Sequence, residues 1–276
     1  MTITLPSIAI LGTGSMGGAI LSGLVRPGVT VEGGIRVTNR STEKAEALAS
    51  DSVESLATST NPSANRDAVA GARIVLLGVK PYMIADLLAE IADALEPDAI
   101  VVSVAAGIPI ATMEALVPGV VLRAMPNTPA VVGRAVTGLA PGTRSSDDDL
   151  ALARTVFETV GEVLVIPESK IDALSTISGS GPAYVFLLME ELTRTAVSLG
   201  FSASEAAVMV NTTFLGASEL LASSAGVPPE ELRRRVTSPK GTTEKAIEVM
   251  QAADLGGMFD RATAAALARA REIAAG

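Results

Sequence analysis

The chain of 276 residues has no cysteine, no histidine and no tryptophan. Those absences exclude thiol nucleophiles, cysteine–histidine metal sites and imidazole acid–base catalysis. Aromatic residues make up 3% of the chain, too few for stacking platforms that bind single-stranded nucleic acid. Positive charge is also short. Against 30 Asp and Glu stand 21 Lys and Arg, a net charge of −9, which argues against broad binding to nucleic acid or to anionic membrane. The acidic cluster Asp147-Asp148-Asp149 reads as a solvated helix start, and no metal site is expected. Apolar runs stop short of membrane-spanning length, because Ile74 to Val79 meets Lys80-Pro81, and Ala99 to Ala106 meets Gly107 and Pro109. The first basic residue is Arg26, so Met1 to Ile10 lacks the charged start of a secretory leader. A soluble, cytoplasmic protein is expected.

Hydrophobic residues account for 48% of the chain, mostly small aliphatics, enough for two modest cores. Strand-like runs recur at Ser7 to Leu11, Ile35 to Thr38, Ile74 to Val79, Ile100 to Val104, Val120 to Ala124, Ala135 to Leu139 and Val163 to Ile166. Helical spacing fills Gly17 to Val25, Glu43 to Ala49, Met83 to Leu95 and Ile110 to Leu116. This alternation predicts a parallel sheet covered by helices on both faces. Beyond Pro167 the pattern is helical, with starts at Pro182, at Ser202 or Ser204, and at Pro228-Pro229. Ala183 to Met189 is apolar at every position, which predicts a helix buried all round and a partner subunit to help cover it.

Ile8-Ala9-Ile10-Leu11 leads into Gly12-Thr13-Gly14-Ser15-Met16-Gly17 and then into helical spacing. This G-x-G-x-x-G stands in the strand–turn–helix setting that a dinucleotide pyrophosphate needs. Gly12 permits the turn, Gly14 admits the phosphates and Gly17 allows close helix packing. The next strand ends in Thr38-Asn39-Arg40-Ser41, without the acid that would hold the adenosine ribose of NAD. An amide, a guanidinium and a hydroxyl suit a 2′-phosphate, so NADPH is the expected cofactor and NADH a weaker substitute. The fold class that follows is α/β, a Rossmann-type dinucleotide-binding domain over 1–167 and an all-α dimerisation domain over 168–276.

Further segments occur in a fixed order: Val79-Lys80-Pro81, Ser103-Val104-Ala105-Ala106-Gly107, Arg123-Ala124-Met125-Pro126-Asn127-Thr128-Pro129, Ser178-Gly179-Ser180-Gly181-Pro182-Ala183-Tyr184, and Val236-Thr237-Ser238-Pro239-Lys240-Gly241-Thr242-Thr243. With the glycine turn they strongly resemble the pyrroline-5-carboxylate reductases, from Ile8 to about Ala252. The resemblance implies cofactor contacts from Asn65, Gly78, Val79, Lys80, Pro81, Val104, Ala105 and Ala106, beside Gly12 to Gly17 and Asn39 to Ser41. It places Asn127 in a segment that helps wall the active site, although a stiff turn without ligand contact reads equally well. Ser178 to Pro182 has too many small residues for a helix interior and reads as packing.

The last segment runs into helical spacing at Thr242, leaving unpaired N–H groups suited to a carboxylate. The resemblance gives Ser238, Gly241 and Thr242 the substrate carboxylate and gives the Thr243 hydroxyl the ring nitrogen, as the catalytic contact. Lys240 stands where the family more usually has Gly. The substrate implied is 1-pyrroline-5-carboxylate, reduced to L-proline in the last step of proline biosynthesis. The assembly implied is a homodimer, with rings of dimers such as a decamer. Two rivals stay open: a β-hydroxyacid dehydrogenase or other imine reductase, and a nonenzymatic NADP-responsive binding protein. The first rival's catalytic Lys is missing from Ser178 to Ala183.

Overall fold

The computed structural model describes residues 2–275 and divides the chain into two compact units. Unit one takes the chain through Ser180 and again from Leu267, and unit two is Gly181–Ala266. Pro167, where the sequence pattern changes, precedes this division, since Ile171 still packs into a core of unit one.

Unit one begins with β1 (Ile3–Leu5), β2 (Ile8–Leu11), α1 (Ser15–Leu24), β3 (Val29–Val31), β4 (Ile35–Asn39), α2 (Thr42–Leu48) and β5 (Val53–Ala57). It continues through α3 (Ala64–Val69), β6 (Ile74–Leu77), α4 (Ile84–Ile91), β7 (Ile100–Ser103), α5 (Ile110–Glu114) and β8 (Val120–Met125). The last pieces are β9 (Ala135–Pro141), α6 (Asp147–Glu158), β10 (Gly161–Val165) and α7 (Ile171–Leu174). Eight strands form one sheet in the order β10-β9-β8-β7-β6-β2-β4-β5, while β1 and β3 pair separately. β2, β6 and β7 are buried at every position, as their unbroken apolar sequences require between two helical layers. Successive side chains alternate faces, so Ile10 and Leu76 enter one core with Ile20 and Phe157. Leu11 and Leu77 enter the other with Leu88 and Val101.

The all-parallel expectation fails at one pair, for β9 runs antiparallel to β8, with Ala124 opposite Leu139. The connection is only a 3-10 turn at Thr128–Val132 closed by Gly133 in the left-handed region (φ +68°), too short for the crossover that parallel neighbours need. β6 ends at Leu77 and not at Val79, which frees Gly78 and Val79 for the sheet's carboxyl edge. Edge strand β5 lacked an apolar run to announce it, since its Glu54 is exposed and its Ser55 and Leu56 are half-buried.

The acidic cluster is not simply solvated. Ser146 and Asp149 form a reciprocal capping box at the start of α6, and the buried Asp149 carboxylate accepts from Arg73 at 2.8 Å. Burial works against the Asp149 charge, but hydrogen bonds from Arg73 and Ser146 outweigh it and hold its carboxyl below the usual range. A lowered native pKa gives stability that is complete above the unfolded value near about 4 and is lost as pH falls through the native one. Asp149→Asn should therefore cost about 2 kcal/mol at neutral pH and flatten the acid side of the stability profile, read by urea unfolding across pH.

Ser178 to Pro182 is not excluded from helix. A π-helical turn occupies Ser175–Gly179 and α8 (Gly181–Ser198) follows from Gly181. Hydroxyls hold the widened turn: Thr176 donates to the Ala173 carbonyl at 2.8 Å and Ser178 to that of Leu174 at 3.2 Å.

Unit two consists of α8, α9 (Ala203–Ser223), α10 (Pro229–Arg235), α11 (Thr242–Ala252) and α12 (Leu255–Ala275), whose residues from Leu267 belong to unit one. Ser202 is the cap of α9, completing a capping box with Glu205. Ala183 to Met189 is not buried all round in the single chain: Phe186 is 66% and Leu187 55% exposed, with Val185 and Leu188 also open. Among the described residues of unit two, the buried apolar side chains are the small Ala196, Ala206 and Val210, so the apolar character of α8 is unmet within one copy. Among the described residues, no helix is long and apolar enough to cross a membrane.

Candidate functional site

In unit one the glycine turn links β2 to α1. Gly12 has φ +80°, a conformation that favours glycine, and a Cβ there would lie 2.6 Å from Val79 Cγ1. A Cβ at Gly78 would lie 2.7 Å from the Gly12 carbonyl oxygen. The Gly12 amide donates to Thr38 Oγ1 at 3.2 Å and the Thr13 amide to the Thr38 carbonyl at 2.9 Å. The structure thus brings Gly12, Thr13, Gly78 and Val79 together with the end of β4. Gly17 is buried against Gly12 and Ile10, where a Cβ would meet atoms at 3.3 Å.

Gly14 differs: a Cβ added there meets nothing within 4 Å. It is the cap residue of α1 and offers no side chain to the helix start. The amides of Ser15, Met16 and Gly17, at positions with no intrahelical acceptor, begin at this open face, with Ser15 exposed and Met16 half-buried. At the end of β4, Asn39 is buried and its amide nitrogen has no partner. Arg40 is exposed, and Ser41 Oγ accepts from the Lys44 amide at 3.4 Å as the cap of α2. An open glycine, a bare helix start, an unpaired amide and a free-standing guanidinium fit a dinucleotide carrying a 2′-phosphate.

Lys80 is exposed and extended ahead of a 3-10 turn at Pro81–Met83. Beyond β7, the Val104 amide donates to the Leu77 carbonyl at 3.1 Å and the Ala105 amide to Ser103 Oγ at 3.2 Å. Ala105 is buried and Ala106 exposed. Asn65 lies on α3, where its amide nitrogen is committed to Glu90, 3.2 Å from both carboxylate oxygens. Asn127 spends its amide on the protein: the nitrogen donates to the Ser178 carbonyl at 2.8 Å and the oxygen accepts from the Val136 amide at 2.9 Å. That double use favours the stiff-turn reading.

In unit two, the Gly241 amide donates to the Ser238 carbonyl at 2.9 Å, closing a four-residue turn with Pro239 second and Lys240 third. Lys240 is left-handed, φ +59°, the third-position geometry for which a turn of this kind selects Gly. The Lys240 amide is held by Glu244 Oε2 at 2.8 Å. Gly241 caps α11 without a side chain, leaving the amides of Thr242 and Thr243 without intrahelical acceptors. The Ser238, Thr242 and Thr243 side chains surround that start and are exposed. This loop offers hydroxyl and amide donors to an anion and has no group that would act as a strong base.

Several structural partners in these sites went unassigned in the sequence. Thr38 near the carboxyl end of β4 and Ser103 at that of the otherwise apolar β7 carry hydroxyls, a signal that points to bonding with the adjoining turn. Glu244 follows Gly241 by three residues, the spacing by which an acid reaches back to a helix start. Arg123 is the one charge in Val120 to Met125, and a lone cation in an apolar strand implies an acidic partner.

Two family models match the chain: pyrroline-5-carboxylate reductase dimerisation over residues 168–273, and NADP oxidoreductase, coenzyme F420-dependent, over residues 7–107. A pyrroline-5-carboxylate reductase of Pseudomonas aeruginosa is 39% identical, covering 98% of this chain and 97% of its own. One of Corynebacterium melassecola is 38% identical, covering 97% and 98%. The solved structure of a pyrroline-5-carboxylate reductase from Coxiella burnetii superposes with a TM-score of 0.88 at 35% identity, covering 96% of this chain and 97% of that one.

Proposed function

The chain belongs to the pyrroline-5-carboxylate reductase family, and on that basis we infer that it reduces 1-pyrroline-5-carboxylate to L-proline with NADPH, the last step of proline biosynthesis. The single observation that carries this reading is the match along nearly the whole chain to reductases of that name. It also sets aside both rivals, the β-hydroxyacid dehydrogenase and the nonenzymatic binding protein.

When bound, NADPH supplies the hydride. Gly12 to Gly17 hold the pyrophosphate through the amides of α1, and Asn39, Arg40 and Ser41 take the 2′-phosphate. Gly78 to Pro81 and Val104 to Ala106 would line the nicotinamide and its ribose, and Asn65, whose amide nitrogen is taken by Glu90, would contribute its side-chain oxygen from α3. Ser238, Gly241 and Thr242 hold the substrate carboxylate at the start of α11. Thr243 Oγ1 holds the ring nitrogen as it becomes an amine. An imine can take its proton from solvent, so the absence of histidine and cysteine is compatible with this reduction, and holding the two reactants in position would supply much of the acceleration. The working form is a homodimer joined through α8 and α9, with further association into rings of dimers, acting in the cytoplasm.

Arg40→Asp is expected to invert or erase the preference for NADPH over NADH, because it exchanges attraction for repulsion at the 2′-phosphate. Ratios of kcat/KM for the two cofactors check this, and equal ratios in parent and variant contradict it. Thr243→Val tests the catalytic contact. Loss of one hydroxyl hydrogen bond to the nitrogen of the forming amine should cost about 1 to 2 kcal/mol, a fall in turnover of about fivefold to thirtyfold, with Thr243→Ser retaining more. Ser238→Ala should instead raise the substrate KM. Parental turnover and KM in Thr243→Val, with assembly intact, leave Thr243 as a helix-start residue only.

A further inference from the structure

Arg123, on β8, is 5% exposed, yet none of the roles above uses it. Its guanidinium donates to Asp172 Oδ1 at 2.8 Å and lies 3.5 Å from Glu168 Oε1. The same Glu168 oxygen accepts from the Ile110 amide at 2.7 Å. Ile110 is the first residue of α5, the helix that ends the loop running from Val104 through Ala106. One carboxylate therefore joins the cation of a central strand to the far end of that loop. Arg123 Nε is buried without a partner. Arg123, Asp172 and Ser175 also line a cavity of about 80 Å³ with Ala106 and Gly107. The clamp and the loop thus meet around one small void.

Arg123 is buried while Glu168 and Asp172 are half-buried, and pairing a buried cation is a poor way to gain stability, since apolar replacements often serve as well or better. What it supplies is fixed geometry, because a planar guanidinium with two carboxylates tolerates few arrangements. We propose that Glu168, Arg123 and Asp172 are positioning residues that hold the Ala105–Gly107 loop in the shape that receives NADPH. This rests on the reading of Val104 to Ala106 as cofactor contacts. A comparable pair provides the control: Arg73 bonds Asp149 at 2.8 Å and Asp98 at 3.2 Å, but it precedes β6, at the sheet's amino edge, away from the Gly78 end.

The test measures NADPH dissociation constants and melting temperatures for the full chain and for Arg123→Met, Glu168→Gln and Arg73→Met. Arg123→Met and Glu168→Gln should weaken NADPH by about tenfold or more through misplacement of the loop, with turnover at saturating NADPH close to parental. Arg123→Lys, which keeps the charge and loses the planar fork, should fall between. Arg73→Met should lower the melting temperature and leave NADPH affinity unchanged. The proposal is overturned if Arg123→Met and Glu168→Gln bind NADPH within about twofold of the parent, whether or not they lose melting temperature as Arg73→Met does. If Arg123→Met does not fold, Glu168→Ala decides alone, for it removes both the bond to the Ile110 amide and the charge facing Arg123. A parent chain that binds no NADPH overturns the cofactor reading and the proposal together.

Discussion

Gly14→Val should fold and assemble as the parent does and bind NADPH at least about a hundredfold more weakly. The two halves of that expectation come from different facts. Gly14 has φ −79°, which any residue adopts, and a Cβ there meets no atom within 4 Å, so the protein itself has no objection to valine. The side chain would instead stand over the amides at the start of α1, where the proposed cofactor site puts the pyrophosphate. Each hydrogen bond to a charged oxygen contributes about 1.5 to 3 kcal/mol, and losing two amounts to a hundredfold or more. Gly12→Ala gives the contrast. At φ +80° with Val79 Cγ1 at 2.6 Å from the added carbon, it should damage the fold before the ligand is considered. Calorimetric titration beside thermal melting separates the cases, and parental affinity in a folded Gly14→Val would remove the turn from the cofactor site.

The second large effect concerns assembly. Phe186→Asp combined with Leu187→Asp should convert the parental oligomer into monomer and abolish most activity. In one copy these side chains are 66% and 55% exposed, although burying each would contribute about 1.5 to 3 kcal/mol. Two carboxylates introduced at a covered apolar face replace that gain with a desolvation cost of several kcal/mol each, by an order-of-magnitude estimate. Sedimentation velocity at working concentration reads the outcome. A double variant that sediments with the parent would mean that α8 lies outside the subunit contact.

The parts of the molecule legible in its sequence are those set by local rules. The glycine turn at Gly12 to Gly17 is readable from its local strand–turn–helix setting, although the Val79 contact that bars a Cβ at Gly12 is not, and the unbroken apolar runs of β2, β6 and β7 announce strands buried on both faces. The start at Thr242 was equally plain, because Pro239 and Gly241 frame it. What escaped depends on pairing across long separations. The antiparallel placement of β9 follows from a short connection whose path no periodicity records. Asp149 looks solvated in sequence because Arg73, its partner, lies far away, and Arg123 implies an acidic partner without pointing to Glu168 or Asp172. Asn127 was ambiguous for the same reason: its partners, Val136 and Ser178, come from two other segments. The excess apolar character of α8 was readable, but its consequence belongs to an assembly and not to one chain.

The account turns on imine reduction, and the most direct measurement is turnover by the purified, assembled chain with NADPH and 1-pyrroline-5-carboxylate, following cofactor oxidation and identifying the amino acid formed. The expected result is one L-proline for each NADPH consumed, with NADH a poorer donor and Thr243→Val slower than the parent. NADPH that binds but is not oxidised when 1-pyrroline-5-carboxylate is present would contradict it.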